Sequence, residues 1–139
     1  MRIFTKLLIM SVALLSICAC SVSTDEVKGN LEKENYIVHL YNQVTYEDTK
    51  FAEDIMLTGN FDCFLEALKA NEENKPGEYL YVWFFDDIGS AETFYDLNEI
   101  SIDNIEPVDG AKLTSGQKNN AVWCGTSAAA GVAKLNSIF

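Results

Sequence analysis

The side chains of this sequence that could do chemistry are few and scattered. His39 is the only histidine, so a nucleophile–histidine–acid triad would have to use it. It lies inside Tyr36-Ile37-Val38-His39-Leu40-Tyr41, a run rich in strand formers, where a histidine more often fills a core or edge position than acts as a base. His39, Cys63 and Cys124 have none of the short ligand spacings of zinc sites. Asp103, Glu106 and Asp109 recur every three residues in a polar stretch, with Asp87 and Glu99 elsewhere. Hard oxygen donors suit calcium, yet the Asp-x-Asp-x-Asp-Gly loop is absent, and a chain this acidic produces such clusters by chance. Paired carboxylates for glycoside hydrolysis need roughly 5–10 Å across a cleft, a distance the sequence does not fix. The expectation is a protein without catalytic residues, metal or cofactor, and not an enzyme.

One group of residues reads as a candidate binding face. Tyr79, Tyr81, Trp83 and Phe85 alternate along one side of a strand, with Leu80, Val82 and Phe84 on the other. Exposed, the four aromatics would form a platform for a glycan, a peptide or another protein. Buried, they are core. Trp123, on a neighbouring strand, extends the face in either case.

Positioning these residues requires an order of elements. Residues 36–41 read as a strand, or equally as the start of a short helix. Thr45 caps a helix over 46–58 with Phe51, Ile55 and Met56 inward, stopped by Gly59. Asn60 caps a second helix over 61–73, because Phe61, Phe64, Leu65 and Leu68 follow the i, i+3, i+4, i+7 spacing. Asn74-Lys75-Pro76-Gly77 turns the chain into the strand at 78–86. That strand is apolar on both faces and so must be central. Ser90 caps a helix over 91–98. Residues 111–115 and 120–125 form a hairpin across Gly116-Gln117-Lys118-Asn119. Thr126 or Ser127 then caps a last helix with Ala128, Val132, Leu135 and Phe139 inward. The expected fold is α+β: a small mixed or antiparallel sheet of about four strands with helices packed on one face, ferredoxin-like in outline.

The front of the chain carries a different signal. Arg2 and Lys6 precede an 11-residue run from Leu7 to Ile17 with no charge, too short to span a bilayer, which takes roughly 20 residues. A cationic start, a short apolar centre and small residues at the exit mark a secretory signal. The exit, Ile17-Cys18-Ala19-Cys20-Ser21, resembles the lipobox of bacterial lipoproteins. Ile17 matches its aliphatic position and Ala19 the small residue before the cut, while Cys18 departs from the usual Ala, Ser or Thr. The resemblance implies that residues 1–19 are removed and that Cys20 becomes the lipidated N-terminus. Two acyl chains anchor stably where one is marginal. The implied location is extracytoplasmic, on the cell membrane, or on the outer membrane of a Gram-negative host given Ser21 after the cysteine. Residues 20–35 are polar and charged, and read as a flexible tether to a single domain over 36–139.

Export bears on the remaining cysteines. Cys63 and Cys124 form an even pair in a compartment where disulfides persist. A bridge would close a loop of about 60 residues and stabilise by roughly 4 kcal/mol in the chain-entropy model. The alternative is two unpaired thiols. On a helix over 61–73, Cys63 falls opposite the apolar stripe, so Cys124 would have to approach its outer side.

Charge excludes partners. Loss of residues 1–19 removes Arg2 and Lys6, leaving 8 basic against 21 acidic side chains, a net charge of −13 and no arginine. Such a domain repels nucleic acid and anionic headgroups. It lacks a bidentate phosphate clamp and a Gly-rich phosphate loop, so nucleotide partners are excluded as well.

Tyr79 to Asp86, then Ala91, Phe94 and Tyr95, then Ala121-Val122-Trp123-Cys124-Gly125-Thr126 entering a helix, resemble a pattern in small lipoproteins of Gram-positive gut bacteria. That resemblance concerns strand-helix order and implies no activity. The functional expectation is a lipid-anchored interaction module of the cell envelope, with a protein or envelope polymer as partner. A structural or accessory subunit is the second reading, and a small envelope hydrolase the third.

Overall fold

The computed structural model describes residues 21–70, 75–107 and 109–137. The fold is α+β, as expected. Its centre is an antiparallel five-stranded sheet with strand order β1-β2-β3-β5-β4, formed by β1 (Ile37–Tyr41), β2 (Phe61–Lys69), β3 (Glu78–Phe85), β4 (Thr114–Lys118) and β5 (Ala121–Gly125). The helices are α1 (Thr24–Lys33), the single turn α2 (Gln43–Tyr46), α3 (Ile88–Asp103) and α4 (Ser127–Val132).

β3 holds the centre because neither of its faces tolerates water. Leu80, Val82 and Phe84 enter one core with Leu65, Ala67, Trp123 and residues of α1 and α4. Tyr81, Trp83 and Phe85 enter a second core with Phe64, Phe51, Ile55 and residues of α3. Helical structure therefore covers both faces, where packing on one face was expected. β1, β2 and β3 follow one another as antiparallel neighbours; β3 then crosses through α3 to β4, which runs parallel to it with β5 between them, so one split β-α-β unit of the ferredoxin-like kind is present in the second half.

The expected helix over 61–73 is strand β2 over Phe61–Lys69. The helical spacing of Phe61, Phe64, Leu65 and Leu68 misleads because β2 contributes to both cores. Leu65 and Ala67 face one, Phe64 the other, and a register shift between Phe61 and Cys63 breaks the alternation.

The expected tether over 20–35 is also corrected. Residues 24–33 form α1, capped by Ser23 accepting from the Glu26 N–H at 3.3 Å. Asp25 and Glu26 in the first turn and Lys33 in the last suit the helix dipole. Two apolar residues four apart, Val27 and Leu31, are buried on the sheet, each worth about 1.5–3 kcal/mol.

The expected helix over 46–58 ends at Tyr46, and residues 47–54 run in turns. Phe51 and Ile55 do point inward. The chain closes back instead through the Tyr46 hydroxyl, which donates to the Ile55 carbonyl at 2.8 Å, and through Thr49, which donates to the Tyr46 carbonyl at 2.8 Å. Met56, expected inward, is exposed.

α3 is longer than 91–98 because its cap is Asp87 rather than Ser90. One Asp87 oxygen accepts from the Ser90 N–H at 2.7 Å and the other from Asn60 Nδ2 at 3.0 Å. These bonds hold its carboxyl below the usual range. The hairpin turns at Asn119-Asn120, with Asn119 at φ 50°, not at 116–119. Gly116 sits within β4 opposite Trp123, where a Cβ would lie 3.2 Å from the indole ring. Ala129, Ala130, Ala133 and Leu135 are the inward residues at α4, while Ala128 is exposed. Phe139 lies outside the described residues, as do residues 1–19 and Cys20.

Candidate functional site

Of the two readings of the aromatic face, core is the one that holds. Tyr81, Trp83 and Phe85 are buried under α3 and the 47–55 turns, and Trp83 is fully enclosed. Phe51 stands edge-on to Tyr81 at 4.7 Å and to Trp83 at 6.0 Å between centroids. Only Tyr79, at the strand's start, stays partly open, its hydroxyl donating to Asp109 at 2.7 Å. Trp123 does not extend this face. It is paired with Val82, so it points into the opposite core. Residues adjacent in a ladder share a face, and Trp83 is one residue out of that phase.

Cys63 and Cys124 do not bridge. They lie on β2 and β5 with β3 between them, which separates their backbones by about 9.5 Å, beyond disulfide reach. They also point into opposite cores: Cys63 packs with the α1 side and Cys124 with the α3 side. Both are free thiols. Burial pushes Cys124 up to about 12 and raises Cys63 as well.

Asp109 and Asp103 hold neighbouring segments in place. Asp109 accepts from the Gly77 N–H at 2.7 Å, the Ala111 N–H at 3.1 Å and Tyr79, and these bonds lower its pKa. Asp103 accepts from the Ser115 hydroxyl at 2.6 Å. Among the described residues no three His, Cys, Asp or Glu side chains gather as a metal site. His39 is exposed on β1 beside its cross-strand partner Glu66.

Two surface features remain. One is an open cleft of about 410 Å³ between the 50–55 turns and the end of α3. Phe51, Ile55 and Ile105 form its apolar part, and Lys50, Asp54 and Glu106 its charged part. Lys50 sits 5.2 Å from the Phe51 ring centroid and 5.5 Å from that of Tyr81, a cation–π contact that covers the aromatic core. Ser101 and Asn104 complete its lining.

The other feature is the β1 edge. Among the described residues, four of the eight exposed large hydrophobic side chains belong to it or adjoin it: Ile37, Leu40, Val44 and Leu68. Leu68 is the cross-strand partner of Ile37. Val44, in the turn after β1, is 78% exposed. β1 pairs with β2 over five consecutive residues without a bulge, and its other side has no strand partner. It contains no Pro, Lys or Glu, the devices that usually protect a sheet edge. This surface was missed in the sequence, although the absence of a protecting residue in Ile37-Val38-His39-Leu40-Tyr41 was readable there.

Comparison of the chain with protein-family models, with curated proteins and with solved structures gave no match. No helix among the described residues is long and apolar enough to cross a membrane.

Proposed function

We propose that this protein is a lipid-anchored, extracytoplasmic interaction module of the bacterial cell envelope. The observation that carries the interaction is the β1 edge, which has no strand partner on its outer side and along which Ile37, Leu40, Val44 and Leu68 are each exposed, Ile37 and Leu40 on opposite faces. A monomer that works alone gains nothing from leaving such an edge open and loses solubility by it. The anchor rests on the sequence Ile17 to Ser21 and its lipobox pattern. A non-enzymatic role fits the separation of His39, Cys63 and Cys124 on three different strands.

Two experiments test the reading. Metabolic labelling with a fatty-acid analogue marks the wild type and not Cys20→Ala; label in the variant defeats the anchor. A photo-crosslinking residue at position 44 of the full chain, in envelope membranes, gives a discrete adduct. The same residue at the exposed position 53 does not. Adducts absent at 44, or equal at both positions, defeat the interaction role of this edge.

A further inference from the structure

We propose that β1 is an acceptor strand for an extended segment of a partner polypeptide that is rich in β-branched residues and whose flanks carry Lys or Arg. This deepens the interaction reading and rests on it. Backbone geometry comes first. An edge strand of an antiparallel sheet directs the N–H and C=O of alternate residues outward, and no described group bonds to Ile37–Tyr41 from that side. A strand laid there sits about 4.8 Å away and gains main-chain hydrogen bonds. Side chains come second. Ile37 and Leu40 lie on opposite faces of β1, Ile37 beside Leu68 and Leu40 beside Leu65. An added strand therefore meets an apolar neighbour on each face.

The other edge shows what protection looks like. β4 reads Thr-Ser-Gly-Gln-Lys, and its Lys118 ammonium donates to the Lys134 carbonyl at 2.7 Å. A glycine, a lysine and a bond to the chain after α4 make β4 a poor template.

Charge selects the occupant. β1 carries no Asp, Glu, Lys or Arg, and it is flanked in sequence by Glu32 and Glu34 before and Glu47 and Asp48 after, against Lys33, with Lys69 of β2 beside Tyr36. Two copies meeting edge to edge would bring these acidic flanks together in domains that are acidic throughout. A segment with basic flanks gains from the same charges, and that gain is screened by salt.

The test uses the full chain in detergent and two synthetic probes: the peptide Lys-Lys-Val-Thr-Val-Thr-Val-Lys-Lys and its counterpart with Glu for every Lys. Amide hydrogen exchange reads out residues 37–41, and fluorescence anisotropy reads out binding. The basic probe slows exchange at alternate residues of 37–41 and binds about tenfold or more tightly than the acidic one, a gap that closes in high salt. The double variant Ile37→Lys/Leu40→Lys, both at exposed positions, loses the basic probe while its Tm stays within a few degrees. Should that variant fail to fold, exchange on the unaltered chain decides alone. Unprotected amides at 37–41 with saturating basic probe overturn the proposal. Equal binding of both probes overturns the charge assignment, and protection that rises with protein concentration without probe assigns the edge to a second copy instead. A crosslink at position 44 with no protection at 37–41 keeps the interaction module and removes strand pairing; no crosslink removes the module itself.

Discussion

The Trp83 indole N–H donates to the Tyr46 hydroxyl at 3.1 Å inside the α3-side core. Tyr46 passes the interaction on, donating to the Ile55 carbonyl at 2.8 Å. One hydroxyl thus satisfies a buried donor on the central strand and a buried acceptor on the irregular segment that covers it. Replacing Tyr46 with Phe leaves both partners unpaired without changing the shape of the ring. The expected cost is about 1–3 kcal/mol, with a change in Trp83 fluorescence, read by denaturant unfolding. A variant as stable as the wild type would show that water replaces the hydroxyl.

α1 is part of the folded unit and not a leash in front of it. Leu31 is fully buried against the sheet. Leu31→Ala is expected to destabilise by about 2–5 kcal/mol, and a chain begun at Tyr36 is expected to lose more, exposing the core that Leu80, Val82 and Trp123 share with α1. Equal Tm values for the wild type and Leu31→Ala would return residues 24–33 to the status of a tether.

The thiols are expected to stay separate and unreactive while the protein is folded. Thiolate is the reactive form, and burial raises both Cys63 and Cys124. Alkylation under mildly basic conditions, followed by peptide mass analysis, should leave both unmodified in the native state and label both after denaturation. A peptide pair joined through Cys63 and Cys124 after air oxidation would contradict the strand order that separates them.

Asp109 gives an acid dependence with a defined sign. Its folded pKa lies below the ordinary carboxyl value because the Gly77 and Ala111 N–H groups and Tyr79 bond the ionised form. The stability it contributes is therefore present above the unfolded pKa and lost as pH falls through the folded one. Asp109→Asn should be less stable than wild type near neutral pH, and the gap in Tm should shrink below about pH 4. A gap that is constant across that range would mean the hydrogen bonds, and not the charge, matter at this site.

Legibility of the fold followed how one-sided each element is. β3 was readable because Tyr79 to Phe85 is apolar at every position, which only a covered central strand explains. α3 was readable in its core-facing residues Ala91 and Phe94, and misjudged in length because Asp87, not Ser90, starts it. β2 was misread because its two-sided burial gave Phe61, Phe64, Leu65 and Leu68 a helical rhythm. α1 was missed because Val27 and Leu31 are thinly spread among charges, although Ser23, the acidic first turn and Lys33 spelled both ends of a helix. The aromatic face was legible as a feature, but nothing in Tyr81 or Trp83 told that Phe51 would lie across them. Pairing across β3 likewise lies beyond sequence spacing, which is why the two cysteines looked like partners.

The contacts of Asn120 carry a consequence for orientation. Its amide accepts from the Val22 N–H at 2.7 Å and donates to the Val22 carbonyl at 3.1 Å and the Phe85 carbonyl at 3.1 Å. The chain is thus clasped to the β4–β5 turn only two residues after Cys20, a reach of about 7 Å. Under the proposed anchoring the domain has little angular freedom above the bilayer: the sheet end formed by Phe85 and Asn120 faces the headgroups, and Ile37, at the opposite end of the ladder, is turned outward. Membrane attachment would then dictate the pose in which the β1 edge is presented, and a few flexible residues inserted after Cys20 would randomise that pose while leaving every contact within the domain intact.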